Sequence, residues 1–276
     1  MEESMYRTYP KKRYGQHFLV DGNVIRKIVS LARVGKDEDV IEVGPGLGAL
    51  TAALLDAGAH VVAVEVDRLL CERLEERFQG VENLELICED ALKVSFVELK
   101  RKRNGSRFKV VSNLPYNISG PILVKFLEER EAFTELFLML QKEVALRLVA
   151  DPGTKDYGVL SVLARAYADS RCEFNVSPGC FRPKPRVDST VVSLRVLDRP
   201  RVPPDLERYF KRVLRCSFGR RRKTLLNALR ALGADTTAVE RALARAGIDP
   251  KRRGETVGVE EYIDLTRSLL EAGAFR

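Results

Sequence analysis

Glu42-Val43-Gly44-Pro45-Gly46-Leu47-Gly48 is the stretch that decides the fold. An apolar run at 40–43 precedes it and a helical pattern at 49–57 follows, so it reads as the turn between a buried strand and a helix. Glycines in such a turn let the backbone reverse tightly and let a ligand come close. The spacing is G-x-G-x-G. Dinucleotide sites use G-x-G-x-x-G to seat a pyrophosphate on the helix N-terminus. The carboxylate of Glu42 beside the loop disfavours a pyrophosphate and suits a cationic ligand. S-adenosylmethionine, with an ammonium, a sulfonium and no phosphate, is a ligand of that kind.

Outward from this loop, apolar strand-like runs at 61–64, 84–88, 108–111 and 136–140 alternate with helical patterns at 68–78, 94–103 and 121–129. That alternation predicts an α/β fold, a mostly parallel Rossmann-like sheet with helices on both faces. Two later strands are expected, around 164–174 and at 189–196. Charged groups fall at successive strand ends. Glu65 closes the second strand about 20 residues after the glycine loop, where a carboxylate accepts the hydroxyls of an adenosine ribose. Asp90 closes the third, where a carboxylate can accept an adenine amine. Each acid alone would pass for a solvated strand end; their combination with the loop is what carries the reading.

Asn113-Leu114-Pro115-Tyr116 closes the fourth strand. Asn offers a carbonyl acceptor for an exocyclic N–H. Pro lacks an N–H and fixes a turn. Tyr gives a face on which a base stacks. The four residues suit an amine-bearing ring, and DNA, RNA or a free base would each meet that description.

The segment 198–204 carries three prolines and reads as a linker. Beyond it helical patterns at 205–216, 223–232, 236–246 and 259–272 predict a small all-helical domain, giving a division into 1–198 and 199–276. Residues 201–276 hold 17 basic and 10 acidic side chains, a net +7, against +1 for the first 200 residues and +8 for the chain. A near-neutral body with a basic tail suggests a polyanionic partner, nucleic acid first; a solvated surface is the plainer alternative. The basic run at 100–103, with Arg107 and Lys109, divides between the same two readings.

The composition excludes several classes. No uninterrupted apolar run of about 18 residues is present, so no membrane span is expected, and the first 13 residues lack the apolar segment of a signal peptide. Five cysteines at 71, 88, 172, 180 and 216, with no C-x-x-C, predict free buried thiols in a reducing cytoplasm and neither a disulfide frame nor a zinc site. With only two histidines, His17 and His60, metal or triad chemistry built on His has little support. A nicotinamide-dependent dehydrogenase is disfavoured by the glycine spacing, and a non-catalytic binding module by the intact set Gly44, Glu65, Asp90 and Asn113.

With these residues assembled, the chain resembles the ribosomal RNA adenine N6,N6-dimethyltransferase family, most closely its bacterial small-subunit (16S) type. The resemblance runs through Tyr14-Gly15-Gln16-His17-Phe18-Leu19, 42–51, 65–67, 89–91, 113–119, Phe181-Arg182-Pro183-Lys184-Pro185-Arg186-Val187-Asp188-Ser189 and 218–225. It implies an S-adenosylmethionine-dependent methyltransferase sheet with a small C-terminal helical domain. It implies that His17 and Leu19 neighbour the cofactor with Gly44, Gly46, Glu65, Asp90 and Asn113; many relatives carry Asn where this chain has His17. It implies a target pocket of Asn113, Leu114, Pro115 and Tyr116, with Phe181 packing on the flipped base opposite Tyr116. Arg215, Arg220, Arg221, Arg222 and Lys223 then become phosphate contacts for a folded rRNA helix. The implied substrate is two adjacent adenines in a hairpin near the 3′ end of 16S rRNA, within the small ribosomal subunit or its precursor. A monomeric cytoplasmic enzyme with no metal is expected.

Overall fold

The computed structural model describes residues 15–219 and 223–275. In chain order the elements are β1 (Phe18–Leu19), α1 (Gly22–Ala32), β2 (Asp39–Val43), α2 (Ala49–Asp56), β3 (His60–Glu65), α3 (Arg68–Arg77), β4 (Leu84–Cys88), α4 (Phe96–Lys102), β5 (Phe108–Asn113), α5 (Ser119–Glu128), β6 (Phe133–Gln141), α6 (Lys142–Val149), α7 (Val159–Tyr167), β7 (Ala168–Val176), β8 (Phe181–Arg182) and β9 (Ser189–Val196). Four further helices follow: α8 (Glu207–Phe218), α9 (Leu225–Leu229), α10 (Thr236–Arg245) and α11 (Val259–Glu271).

Seven strands form one sheet in the order β4-β3-β2-β5-β6-β9-β7. Neighbours from β4 to β6 run parallel, and β9 pairs antiparallel with β6. The central strands are covered on both faces, which explains their continuous apolar runs. Alternation divides them. Val40, Val61, Ala63 and Val111 join Ile25 and Ile28 of α1 and Leu50 and Leu54 of α2 in one core. Phe96 of α4, Phe126 of α5 and Phe133 of β6 form a separate aromatic trio, with ring centroids 5.3–5.4 Å apart. Each such side chain, wholly withdrawn from water, contributes about 1.5–3 kcal/mol.

The chain runs from β2 outward through β3 to β4, then returns to the other side of β2 as β5. The C-terminal ends of β2 and β5 therefore flank a topological switch point, where open α/β sheets bind ligands. Ser112 Oγ joins the two strand ends by donating to Val43 O at 2.6 Å.

The structure corrects several expectations. Residues 164–167 end a helix rather than begin a strand, and α1 and α6 join the predicted elements. Among the described residues two compact units are present, but one runs to residue 145 and takes in 170–196, and the other comprises 146–169 and the residues from 197 on, so a segment expected in the first domain groups with the helices. Cys71 and Cys88 form a disulfide with Cα atoms 6.1 Å apart, because α3 returns over the neighbouring strands β3 and β4. Cys172 is exposed, and Cys180 and Cys216 are half-buried, so free buried thiols do not describe this set. In the basic run near 100–109, Arg103 pairs with Asp39 and Glu85, Arg107 donates to Phe133 O, and Lys109 is buried against Glu38 and Ala32 O. Those three side chains hold the fold. Among the described residues no helix is long and apolar enough to cross a membrane.

Candidate active site

The cavity at the switch point is lined by the ends of β2, β3, β4 and β5 together with residues 15–19. Gly44, Gly46 and Gly48 all have positive φ, between 60° and 79°. At Gly44 a Cβ would lie 2.8 Å from Pro115 Cγ, and at Gly46 2.8 Å from the Phe18 ring. Glycine is thus required both by backbone conformation and by close approach from β5 and from the N-terminal segment.

Glu65 is fixed by its own loop. Its Oε1 accepts the N–H groups of Val66 and Asp67 at 2.9 Å, and its Oε2 accepts Gly46 N–H at 3.3 Å. A carboxylate has about four acceptor positions, so at least one remains for a ligand hydroxyl. Burial raises its pKa, against the lowering effect of those N–H groups. Glu42 is buried behind the glycine loop, accepts Thr51 Oγ1–H at 2.6 Å, and is pushed up to about 8 by burial, with the Glu65 charge adding to the shift. Asp90 lines the cavity, and its Oδ1 accepts Leu92 N–H at 2.9 Å.

On the β5 side, Asn113 Nδ2 donates to the backbone carbonyl of His17 at 3.1 Å, which fixes the amide and leaves Oδ1 as the acceptor. Leu114 N–H is held by Met139 O at 3.2 Å, and Pro115 O accepts Ile118 N–H at 3.2 Å as the chain turns into α5. Of the two backbone acceptors expected beside Asn113, that of Pro115 is thus already engaged by Ile118 N–H. Tyr116 bonds Ser189 Oγ through its hydroxyl at 2.6 Å, and burial raises its pKa.

His17, Leu19, Gly44, Gly46, Glu65, Asp90, Asn113, Leu114, Pro115 and Tyr116 all line this one cavity. Phe181 does not. It is fully buried in the core with Leu19, Val176 and Val191. Phe181 of β8 lies directly opposite Leu19 of β1, and directly opposed residues share a face, here the face turned to the core. The expected aromatic wall opposite Tyr116 is therefore corrected: the ring beside Tyr116 is His17, with centroids 5.1 Å apart. Among the basic cluster, Arg215 and Lys223 are exposed, while Arg220, Arg221 and Arg222 lie outside the described residues. The sequence assigns no role to Thr51, Asp67, Ser112 or Ser189: Thr51 Oγ1 donates to Glu42, Asp67 N–H to Glu65 and Ser112 Oγ to Val43 O, and Ser189 bonds Tyr116.

Four acidic side chains, Glu42, Glu65, Glu89 and Asp90, line the cavity, Glu42 held protonated at neutral pH by its burial, and among the described residues no Lys or Arg does so. Among those residues a pyrophosphate has no counter-charge. A cation that also carries a ribose and an amine-bearing ring fits the same donor set. A family model described as "Ribosomal RNA adenine dimethylase" matches residues 8–270. The chain belongs to the ribosomal RNA adenine dimethylase family. "Ribosomal RNA small subunit methyltransferase A" of Moorella thermoacetica is 47% identical over 266 residues, covering 94% of this chain and 92% of that protein. The protein of the same name from Geobacter metallireducens is 44% identical, covering 95% and 96%. Among solved structures, a dimethyladenosine transferase from Plasmodium falciparum superposes with a TM-score of 0.74 at 25% identity, covering 93% of this chain and 98% of that one. The 23S rRNA methyltransferase ErmE superposes with a TM-score of 0.66 at 26% identity, covering 91% and 99%. As a member of the rRNA adenine dimethylase family, the chain is an rRNA adenine dimethyltransferase with S-adenosylmethionine as methyl donor.

Proposed function

We propose that the enzyme dimethylates N6 of two adjacent adenines in a hairpin loop near the 3′ end of 16S rRNA, on the small ribosomal subunit or its precursor, as a cytoplasmic monomer. The small-subunit choice rests on the names of relatives 44–47% identical over nearly the whole chain. The observation that carries the chemistry is the orientation of Asn113. With Nδ2 committed to His17 O, the amide meets the cavity with its oxygen.

Glu65, Asp90 and the Gly44–Gly46 backbone are the groups that hold the cofactor. When bound, S-adenosylmethionine supplies an electrophilic methyl carbon on its sulfonium. Asn113 Oδ1 and the Leu114 carbonyl accept the two N–H groups of the target adenine. The N6 lone pair is delocalised into the ring, and two acceptors favour a more tetrahedral nitrogen with its lone pair aimed outward. Positioning and electrostatics then supply the acceleration, and no side chain needs to remove a proton beforehand. The amine becomes acidic only once alkylated, and sheds its proton to solvent. Tyr116 stacks the flipped base, worth about 1–3 kcal/mol. After one transfer and loss of one proton N6 keeps one N–H and its lone pair, so one of the two acceptors can hold it for a second round. The basic cluster 215–223 grips rRNA phosphates while the sheet unit works on the loop.

The test is methylation of purified small and large subunits followed by mapping of the modified positions. Two neighbouring adenines near the 3′ end of the small-subunit RNA are expected. Modification confined to large-subunit RNA would overturn the assignment and favour the activity that ErmE is named for.

A further inference from the structure

Three segments distant in sequence meet at His17. Its carbonyl accepts Asn113 Nδ2–H at 3.1 Å, its imidazole Nδ1 lies 2.7 Å from Pro183 O, and its ring stands beside that of Tyr116. A carbonyl only accepts, so Nδ1 carries the proton in this bond. The bond extends the short β1–β8 ladder, in which Phe18 and Leu19 pair with Arg182 and Phe181. Packed aromatic rings have centroids about 4.5–7 Å apart. The 5.1 Å between His17 and Tyr116 admits no third ring between them, so a base that stacks on Tyr116 must do so away from the imidazole.

We propose that His17 is a positioning residue for methyl transfer: its side-chain bond to Pro183 O holds residues 15–19 in the place from which they orient Asn113 and Tyr116. This rests on the reading of Asn113 and Tyr116 as the groups that hold the target adenine. Tyr116 is then restrained at both ends, by Ser189 at its hydroxyl and by His17 at its ring. Asn113 is restrained through the His17 carbonyl, whose own position depends on the Pro183 bond. The segment is also tied by the two-residue β1–β8 ladder, by Gln16 Nε2 donating to Asp67 Oδ2 at 3.3 Å and by Val20 N–H donating to Cys180 O at 2.9 Å; the Pro183 bond is the one made by the side chain of the residue whose carbonyl holds Asn113.

Three variants separate the donor from the ring. His17→Asn keeps a donor nitrogen on the γ-carbon without the ring; His17→Phe keeps a ring without the donor; His17→Ala has neither. Steady-state methylation of small ribosomal subunits, with calorimetric titration of S-adenosylmethionine, reads the result. At saturating cofactor and subunits, kcat should fall about tenfold in His17→Ala and His17→Phe and stay within about threefold in His17→Asn. His17 also lines the cofactor cavity, so the cofactor Kd is free to weaken in all three, and the kcat comparison is made at saturating cofactor. Wild-type kcat in His17→Phe would overturn the proposal, as would recovery of His17→Ala to wild-type rate at saturating cofactor, which would make the segment a cofactor cover only. If His17→Ala does not fold, the comparison of Asn with Phe decides. Unchanged kcat in both Asn113→Ala and Tyr116→Ala would sink the underlying pocket reading, whatever the His17 variants do.

Discussion

Asn113 and His17, 96 residues apart, share the hydrogen bond that orients the Asn113 amide: Nδ2 donates to the His17 carbonyl and Oδ1 is left to the cavity. The acceptor is backbone, so the residue at 113 must supply both a donor and an acceptor, and Asn does so in the length available. Asn113→Ala should lower the methylation rate about 100-fold while changing rRNA affinity little. Single-turnover rates beside filter-binding affinities check this; equal losses in both would contradict the amine-acceptor role.

Gly44 offers a test of the loop. Its φ is +72°, and a methyl group added there would lie 2.8 Å from Pro115 Cγ, so Gly44→Ala is strained in its backbone and collides with a rigid ring. A cost of about 1–3 kcal/mol is expected, felt as a lower Tm and a weaker cofactor Kd. Thermal unfolding with and without S-adenosylmethionine measures both.

Glu42 makes stability depend on pH. Its folded pKa of about 8 stands above its ordinary value of 4.5, so between those values the folded protein binds the extra proton. Stability is then fully present at low pH and is lost as pH rises through about 8. Glu42→Gln keeps an acceptor for Thr51 and removes the titration, and should flatten the fall in Tm between about pH 5 and about pH 8.5, a difference on the order of a few kcal/mol. Glu65, shifted in the same direction, leaves some slope behind. A variant whose Tm falls as steeply as the wild type would contradict the burial account.

Arg221 and Arg222 test the phosphate contacts. Replacing both with Ala should weaken rRNA binding and reduce the slope of log K against log salt by about 1.5. An unchanged slope would return the cluster to a solvated surface.

Much of this site is legible in the sequence because it sits at strand ends. β2, β3, β4 and β5 announce themselves as apolar runs, and Gly44, Glu65, Asp90 and Asn113 follow from where those runs stop. Phe181 is not legible in the same way, because its direction is set by pairing with Leu19 in a distant segment, and no local pattern encodes that register. Cys71 of α3 and Cys88 at the end of β4 meet through the packing of that helix on the sheet, which no local pattern encodes either. Residues 164–167, Ala-Arg-Ala-Tyr, have no period long enough to separate helix from strand, and packing against α11 accompanies the helical outcome. In α1 the buried positions Ile25, Ile28 and Ala32 are interleaved with Arg26, Lys27 and Ser30, so its stripe is visible mainly once Asp21 is seen to cap it.

The central claim is that this cavity places two methyl groups on N6 of adenine. The most direct measurement is mass analysis of nucleosides from unmethylated small ribosomal subunits incubated with the enzyme and labelled S-adenosylmethionine. The account predicts N6,N6-dimethyladenosine carrying the label, at two residues per particle, and its loss with Asn113→Ala. Label in N1-methyladenosine, in a methylated pyrimidine, or in no nucleoside of the small-subunit RNA would contradict it.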